Sequence, residues 1–164
     1  MVNVMQMSHK NGLKIALILA FTLSLLGSSL HASGLAVRSV DDFYIVVNDA
    51  SYGDFDGDGL EDDCYIVFDL VVPEKKGTIW VDIYLDLVLP SGFTHSAYFL
   101  VKVGVTVVPT LIIHAYDTAI EPGWYDAQLL AIATGFQPAY SYTSYIFDPP
   151  GIGAGDPYYT IMVL

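Results

Sequence analysis

Alternation of apolar and polar positions is the clearest pattern along the chain. From Val81 to Leu89 every second residue is aliphatic, and the alternate positions from Trp80 to Asp86 are polar or aromatic. Ser96–Val108 repeats the alternation, with Tyr98, Lys102 and Gly104 on the polar side. A period of two predicts strands with one buried face. The Pro-Ser-Gly run at 90–92 between these two segments predicts a turn.

Six more short segments are rich in aliphatic, β-branched and aromatic residues, which is typical of strands. They are Phe43–Val47, Cys64–Val72, Leu111–Tyr116, Trp124–Ala133, Tyr140–Phe147 and Tyr158–Leu164. No segment of residues 33–164 has the period of an amphipathic helix. A Gly/Pro-rich run at 147–157 predicts a loop between the last two strands. We therefore expect one all-β domain over 33–164, an antiparallel β-sandwich of about seven or eight strands.

One corner of this sandwich has a recognisable sequence. Glu121-Pro122-Gly123-Trp124-Tyr125 precedes an alternating strand and resembles the corner before a late strand of immunoglobulin-like sandwiches. There a tyrosine hydroxyl bonds to backbone a few residues upstream, which would be the role of Tyr125. The Cys…Trp…Cys framework of antibody domains is absent from the sequence, which argues against an antibody-type domain and leaves only the broad sandwich class.

The N-terminal segment has the order of a secretory signal peptide. Lys10 and Lys14 precede an uncharged stretch, Ile15–Leu30, which leads into small and polar residues. This stretch is shorter than the roughly 20 residues that span a bilayer. We predict a signal peptide over 1–32 cleaved after Ala32, with Ala36 as a second candidate, and no stable membrane insertion afterwards. The alternative is a retained membrane anchor or a pilin-like helix that starts after Gly12. The expected location is extracellular or on the cell surface.

Charge narrows the range of partners. Eighteen acidic residues face six basic ones, for a formal net charge of −12, so nucleic acid and anionic lipid would be repelled. Hydrophobic residues make up 54% of the chain, which is enough for a packed core. The only cysteine, Cys64, excludes an intrachain disulfide, and we expect it to be buried as a small hydrophobic residue.

The run from Gly53 to Asp63 is the densest group of acids in the chain. Asp54, Asp56 and Asp58 alternate, Gly59 and Leu60 follow, and Asp62 comes next. Carboxylates at positions 1, 3 and 5, a glycine at 6 and a carbonyl at 7 place oxygen atoms around Ca²⁺. Position 12, where an EF-hand has its bidentate Glu, is Tyr65. The complete EF-hand pattern is therefore missing.

The run resembles the D-x-D-x-D-G-x-x-D calcium loops of FG-GAP and VCBS-type repeats and is similar to those of thrombospondin type 3 repeats. The resemblance implies Ca²⁺ ligation by the side chains of Asp54, Asp56, Asp58 and Asp62 and by the carbonyl of Leu60. Two alternatives are a solvated acidic turn and the nucleophile motif of haloacid-dehalogenase-like phosphatases. The second needs a buried parallel strand before Asp54, whereas residues 48–53 have a loop-like sequence.

These patterns predict a non-enzymatic, calcium-stabilised subunit with a structural or adhesive role outside the cell, which could assemble into a surface filament. Self-association or contact with other cell-surface proteins is expected, with Ser33–Val40 pairing with the sheet edge of a neighbour. The alternative is a carbohydrate-binding module in which Trp80, Trp124 or strand tyrosines stack on sugar rings. In either case calcium has a structural role.

Overall fold

The computed structural model describes residues 3–6, 43–72, 78–104, 108–134, 139–149, 151, 153 and 155–164. The described residues form nine strands and no helix: β1 (Asn3–Gln6), β2 (Tyr44–Gly53), β3 (Asp63–Val71), β4 (Thr78–Val88), β5 (Thr94–Gly104), β6 (Thr110–Tyr116), β7 (Tyr125–Thr134), β8 (Ala139–Phe147) and β9 (Tyr158–Val163). They pair in two antiparallel sheets, one in the order β1-β5-β4-β7-β8 and the other in the order β2-β3-β6-β9. The predicted β-sandwich is confirmed.

The spatial order of the strands corresponds in part to that of immunoglobulin sandwiches, with a different chain order because the last strand, β9, lies in the place of strand D. β2, β3 and β6 occupy the places of strands A, B and E, and β4, β7 and β8 those of C, F and G. β5 is an additional strand beside the C position, and β9 takes the place of D. This arrangement puts the β2–β3 loop and the β6–β7 connection at the same end of one sheet, because β3 and β6 are antiparallel neighbours.

The central hairpin confirms the alternation seen in the sequence. The predicted inward residues of β4 and Leu89 are at most 2% exposed, and Phe99, Val101 and Val103 of β5 are equally buried. The turn is closed by the Gly92 amide, which donates to the Leu89 carbonyl at 2.8 Å. Burial of these aliphatic side chains between the sheets supplies the main driving force for folding. β5 ends at Gly104, so Val108 of the predicted strand lies outside it, and residues 105–107 are not among those described.

The corner predicted at Tyr125 is present. The Tyr125 hydroxyl accepts a hydrogen bond from the Glu121 amide and donates one to the Glu121 carbonyl, both at 2.9 Å. The side chain is fully buried, and its ring lies 5.9 Å from that of Phe147. The polar tip of a buried tyrosine thereby fixes the start of β7 against the preceding connection.

β2 is longer than predicted. Residues 48–53 were expected to form a loop, because Asn, Asp, Ser and Gly are uncommon in strands, but they continue the strand to Gly53. The register with β3 shifts between Val47 and Asp49, which marks a bulge at Asn48. A bulge moves the buried face by one residue, so that Ile45 and then Ala50 point into the core. This change of phase hid the second half of the strand from the sequence pattern.

The N-terminus adds a short strand that the sequence analysis did not predict. Asn3–Gln6 lies inside the predicted signal peptide and pairs with residues 99–102 of β5, along an edge with backbone groups available for pairing. The remainder of residues 1–32, and the segment Ser33–Val40, lie outside the described residues. Among the described residues there is no helix of the length and apolar character that membrane crossing requires.

Candidate metal site

Three chain segments converge at the end of the sheet where β2 and β6 end and β3 and β9 begin. The loop of residues 54–62 joins β2 to β3, residues 117–124 join β6 to β7, and residues 148–157 join β8 to β9. The Thr118 and Ala119 amides donate to the Asp62 carbonyl at 3.0 and 2.7 Å. The Gly153 amide donates to the Ala119 carbonyl at 3.1 Å. The acidic loop is thus bonded to the β6–β7 connection, and that connection to the loop before β9.

The acidic loop is shaped by its own carboxylates. Asp54 accepts the amides of Gly57 and Gly59 at 2.7 and 3.1 Å, through its two different oxygens. Further along, Asp56 accepts the Asp58 amide at 3.1 Å, and Asp58 accepts the Leu60 amide at 2.7 Å. Local bonds of this kind bend the backbone while leaving lone pairs on the carboxylates for another partner. Gly57 and Gly59 have φ of 83° and 93°, a region that favours glycine.

Asp63, the first residue of β3, connects the loop to the opposite segment. Its side chain is fully buried. One oxygen accepts the amides of Phe55 and Asp56 at 2.6 and 3.0 Å, and the other accepts the Asp117 amide at 3.0 Å. Backbone donors therefore surround this buried carboxylate and offset the cost of removing its charge from water.

The side chains of six aspartates meet in three overlapping groups, each of which could hold a metal ion. Within each group the candidate oxygen atoms lie within 4.8 Å of one another. The groups are Asp54, Asp56 and Asp58; Asp56, Asp63 and Asp117; and Asp58, Asp62 and Asp117. The first is exposed, and the other two extend inward to the buried Asp62 and Asp63. Ligands from two separate connections would cross-link the end of the sheet through one ion.

Asp117 is the residue that joins the loop to the β6–β7 connection. It has a φ of 55°, which is uncommon for a residue other than glycine and is best tolerated by Asp and Asn. Burial raises the pKa of its carboxyl group, and the negative charges of Asp62 and Asp56 raise it further. Neighbouring charges thus oppose ionisation of Asp117, and a bound cation would favour it.

Two glycines of the β8–β9 loop lie directly against the acidic side chains. A β-carbon at Gly153 would lie 2.7 Å from Asp62 Oδ2, and one at Gly155 would overlap the carboxylate of Asp117. Such contacts are too short for any side chain. Part of the Gly/Pro-rich composition of this loop therefore has a steric cause, since only a bare backbone fits against Asp62 and Asp117.

Phe55 fastens the acidic loop to the outer face of the sheet. Its ring lies 5.3 Å from that of Tyr65 and 5.5 Å from that of His114, in edge-to-face contacts. It also folds back over Gly53, where a β-carbon would lie 3.0 Å from the ring. Beyond His114 the aromatic contacts continue to Tyr116, stacked at 5.6 Å. The position of Phe55 between Asp54 and Asp56 couples the loop to β3 and β6.

The Cys64 thiol and the imidazoles of His95 and His114 are the other side chains of this domain that could react or bind a metal. Cys64 is fully buried, as predicted, and burial raises the pKa of its thiol to about 12, which disfavours the reactive thiolate. His95 and His114 are in different sheets, on β5 and β6. Neither is a member of the metal-ligand groups found among the described residues.

The sequence analysis named four of the six aspartates that meet here. Asp54, Asp56 and Asp58 lie in one group, whereas Asp62 groups with Asp58 and Asp117, and Ca²⁺ ligation by these side chains stays a prediction. Leu60 donates its amide to Asp58, and ligation by its carbonyl stays a prediction. Asp63 and Asp117, which also belong to these groups, were not named as candidate ligands by the sequence analysis. Asp117 is distant in sequence, and only the pairing of β3 with β6 brings it to the loop.

Comparisons with protein-family models, curated proteins and solved structures find no match to this chain. The resemblance of the loop to FG-GAP, VCBS-type and thrombospondin type 3 sequences accordingly remains a prediction from a dozen residues.

Proposed function

We propose that the protein is a secreted, non-enzymatic β-sandwich that Ca²⁺ stabilises and that serves as a structural or adhesive subunit at the cell surface. The observation that carries this proposal is the overlap of the three carboxylate groups across two connections of one sheet. An ion bound there would hold the β2–β3 loop and Asp117 together. The role proposed for the ion is therefore to stabilise the fold.

The donor set favours Ca²⁺ over other common ions. All six ligands in the groups are carboxylates, hard oxygen donors that suit Ca²⁺ and Mg²⁺ better than zinc or copper. Ca²⁺ accepts six to eight oxygens in flexible geometry, whereas Mg²⁺ requires a near-ideal octahedron and retains water. A crowded group of carboxylates on a loop and a separate connection fits the more permissive ion.

Secretion is supported by the order of basic, apolar and small residues at the N-terminus. The free concentration of Ca²⁺ outside cells suits the affinity of extracellular calcium modules, about 10⁻⁴ to 10⁻³ M. The aromatic residues exposed on the outer sheet faces support a role in adhesion.

Thermal unfolding of metal-stripped protein tests the calcium proposal. Ligand at 100 times its dissociation constant adds roughly 2.7 kcal/mol of stability, which corresponds to a Tm increase of about 5–15 °C for a domain of this size. Ca²⁺ should raise Tm more than Mg²⁺ does, and EDTA should reverse the effect. Asp56→Asn should abolish the increase, while Glu61→Gln, at an exposed acid of the same loop outside all three groups, should retain it. Equal Tm values in Ca²⁺ and EDTA would reject the proposal.

The filament proposal has a separate test. Light scattering and negative-stain microscopy of concentrated protein in Ca²⁺ should show oligomers or fibres. A protein that stays monomeric at high concentration would exclude self-assembly and leave the calcium proposal intact.

A further inference from the structure

The outer face of the β5-β4-β7-β8 sheet carries a row of aromatic side chains. Directly opposed positions run from Tyr98 on β5 through Tyr84 and Leu130 to Tyr142 on β8. Adjacent strands lie about 4.8 Å apart, so this tyrosine row spans about 14 Å. Tyr84, Tyr98 and Tyr142 are 39%, 36% and 56% exposed.

Neighbouring contacts hold the row in place. The Tyr84 and Tyr98 rings lie 5.1 Å apart at an interplanar angle of 43°. The Tyr98 hydroxyl donates to Asp82 Oδ1 at 2.6 Å, and this bond, together with burial and the charge of Asp82, raises the pKa of Tyr98 to about 12. Because these contacts already restrain Tyr84 and Tyr98, those two side chains lose less conformational entropy when a ligand covers them, which favours binding.

Hydrogen-bonding groups flank the row on both sides. Two positions along the strands to one side of the tyrosine row lie Asp82 and Tyr140. Asp86 and Gln128 lie two positions to the other side. Asp82 and Asp86 each accept one hydroxyl within the sheet, from Tyr98 and from Ser96. A carboxylate has about four acceptor positions, so both can accept further hydroxyl groups from a ligand.

Charge separates the possible occupants. Three carboxylates, those of Asp82, Asp86 and Asp126, lie on this face. The ammonium group of Lys102 lies over the Trp80 ring, 5.5 Å from its centroid. On this face the three carboxylates would repel an anionic polymer, and a second copy docked with the same face would bring like charges together. A neutral polyhydroxylated chain avoids that cost, and it offers C–H faces to the rings and hydroxyls to the carboxylates.

We propose that this face binds a neutral polysaccharide, with Tyr84, Tyr98 and Tyr142 as the stacking residues. The inference names a partner for the adhesive role in the proposed function and rests on that role. It differs from a site built on the two tryptophans. Trp80 and Trp124 lie at opposite ends of β4 and β7, about 30 Å apart along the strands, too far to act as one pair.

Affinity electrophoresis and pull-down of the full chain in Ca²⁺ test the inference, with soluble β-glucan and galactomannan and insoluble cellulose and chitin as probes. Wild-type protein should be retained by at least one probe. Tyr84→Ala and Tyr142→Ala should each weaken binding at least about fivefold, the scale of one lost aromatic contact. Tyr84→Phe keeps the ring and should bind like wild type. Tyr52→Ala is the matched control, because Tyr52 is 38% exposed on the opposite sheet.

Four results would overturn the inference. They are no retention on any polysaccharide, an equal loss of polysaccharide binding in Tyr52→Ala, binding to polylysine as an added probe but to no polysaccharide, and self-association that Tyr84→Ala abolishes. The last two would assign the face to a basic partner or to a second copy. Melting curves of the same variants show whether they remain folded. If Ca²⁺ raises Tm while no probe binds, the polysaccharide inference fails and the calcium proposal stands.

Discussion

The carboxylate of Asp63 accepts the amide of Asp117 at 3.0 Å, although the two residues are 54 positions apart in the chain. The other oxygen of Asp63 accepts two amides from the acidic loop. One buried side chain thus orients both of the segments that carry the candidate metal ligands. Hydrogen bonds within the protein therefore fix the relative position of these two segments.

Asp63→Asn should destabilise the protein even without metal. A carboxamide side chain at this position can accept through only one atom, so at least one buried backbone amide would lose its acceptor. We expect a loss of about 1–3 kcal/mol in urea unfolding in EDTA. Asp49→Asn, at an exposed residue of β2, is the control and should change stability by less than about 0.5 kcal/mol. Equal effects of the two substitutions would show that Asp63 does not organise the loop.

Asp117→Asn should weaken cation binding without unfolding the protein. The substitution removes a charged ligand from two of the three carboxylate groups while keeping a side chain that tolerates positive φ. Calorimetric titration with Ca²⁺ should show affinity reduced by at least about tenfold, since charged hydrogen-bond and ligand contacts contribute roughly 1.5–3 kcal/mol. Glu61→Gln should bind like wild type. Unchanged affinity in Asp117→Asn would confine the ion to the 54–58 loop.

Gly155→Ala should reduce both stability and cation affinity, because the added methyl group would displace Asp117. Gly92→Ala provides the control. Gly92 has a φ of 85°, and a β-carbon there would meet no atom within 4 Å. That substitution should therefore cost about 1–2 kcal/mol in backbone strain and leave Ca²⁺ affinity unchanged. Melting curves and Ca²⁺ titrations of both variants separate the two effects. A Gly155→Ala protein with wild-type affinity would show that the β8–β9 loop is not tightly packed on the site.

Tyr125→Phe should destabilise the domain by about 1–3 kcal/mol, although the ring and its packing are kept. The hydroxyl is the partner of both the amide and the carbonyl of Glu121, and both lose that partner in the variant. Tyr140→Phe, at a tyrosine that is 78% exposed, should have little effect. Chemical denaturation compares the free energies of unfolding of the two variants. Equal denaturation midpoints would show that the hydrogen bonds of the Tyr125 hydroxyl do not stabilise the domain.

Stability should fall between about pH 7.5 and 5.5, and His95 should contribute to the fall. Burial lowers the pKa of His95, although the charge of Glu121 acts in the opposite direction. In the unfolded chain the His95 imidazole is protonated as the pH falls through about 6.5. In the folded protein it is protonated only at lower pH, so the unfolded chain binds more protons in this range. The free energy of unfolding therefore decreases as the pH falls. His95→Gln should therefore show a smaller loss of stability than wild type over this range. An identical pH dependence would exclude His95, and His114, whose pKa is lowered in the same direction, would be the next candidate.

Local sequence determined most of the strands and part of the site. Alternation in β4 and β5 was sufficient because each strand buries one continuous face, and the pattern of a buried face is written directly in the residues. Tyr125 was identifiable because its partner, Glu121, is only four residues away. Asp54, Asp56 and Asp58 were identifiable for the same reason, since short-range Asx bonds shape their loop.

Tertiary structure decided the features that depend on strand pairing. Asp117 reaches the acidic loop because β3 and β6 are neighbours, which no local pattern encodes. The second half of β2 forms although its residues disfavour strands, because pairing with β3 satisfies their backbone groups beyond the bulge. The tyrosine row likewise combines residues from three strands whose alignment is set by register alone. Contacts between residues far apart in sequence depend on how the strands pack, and side-chain periodicity within one strand carries no information about that packing.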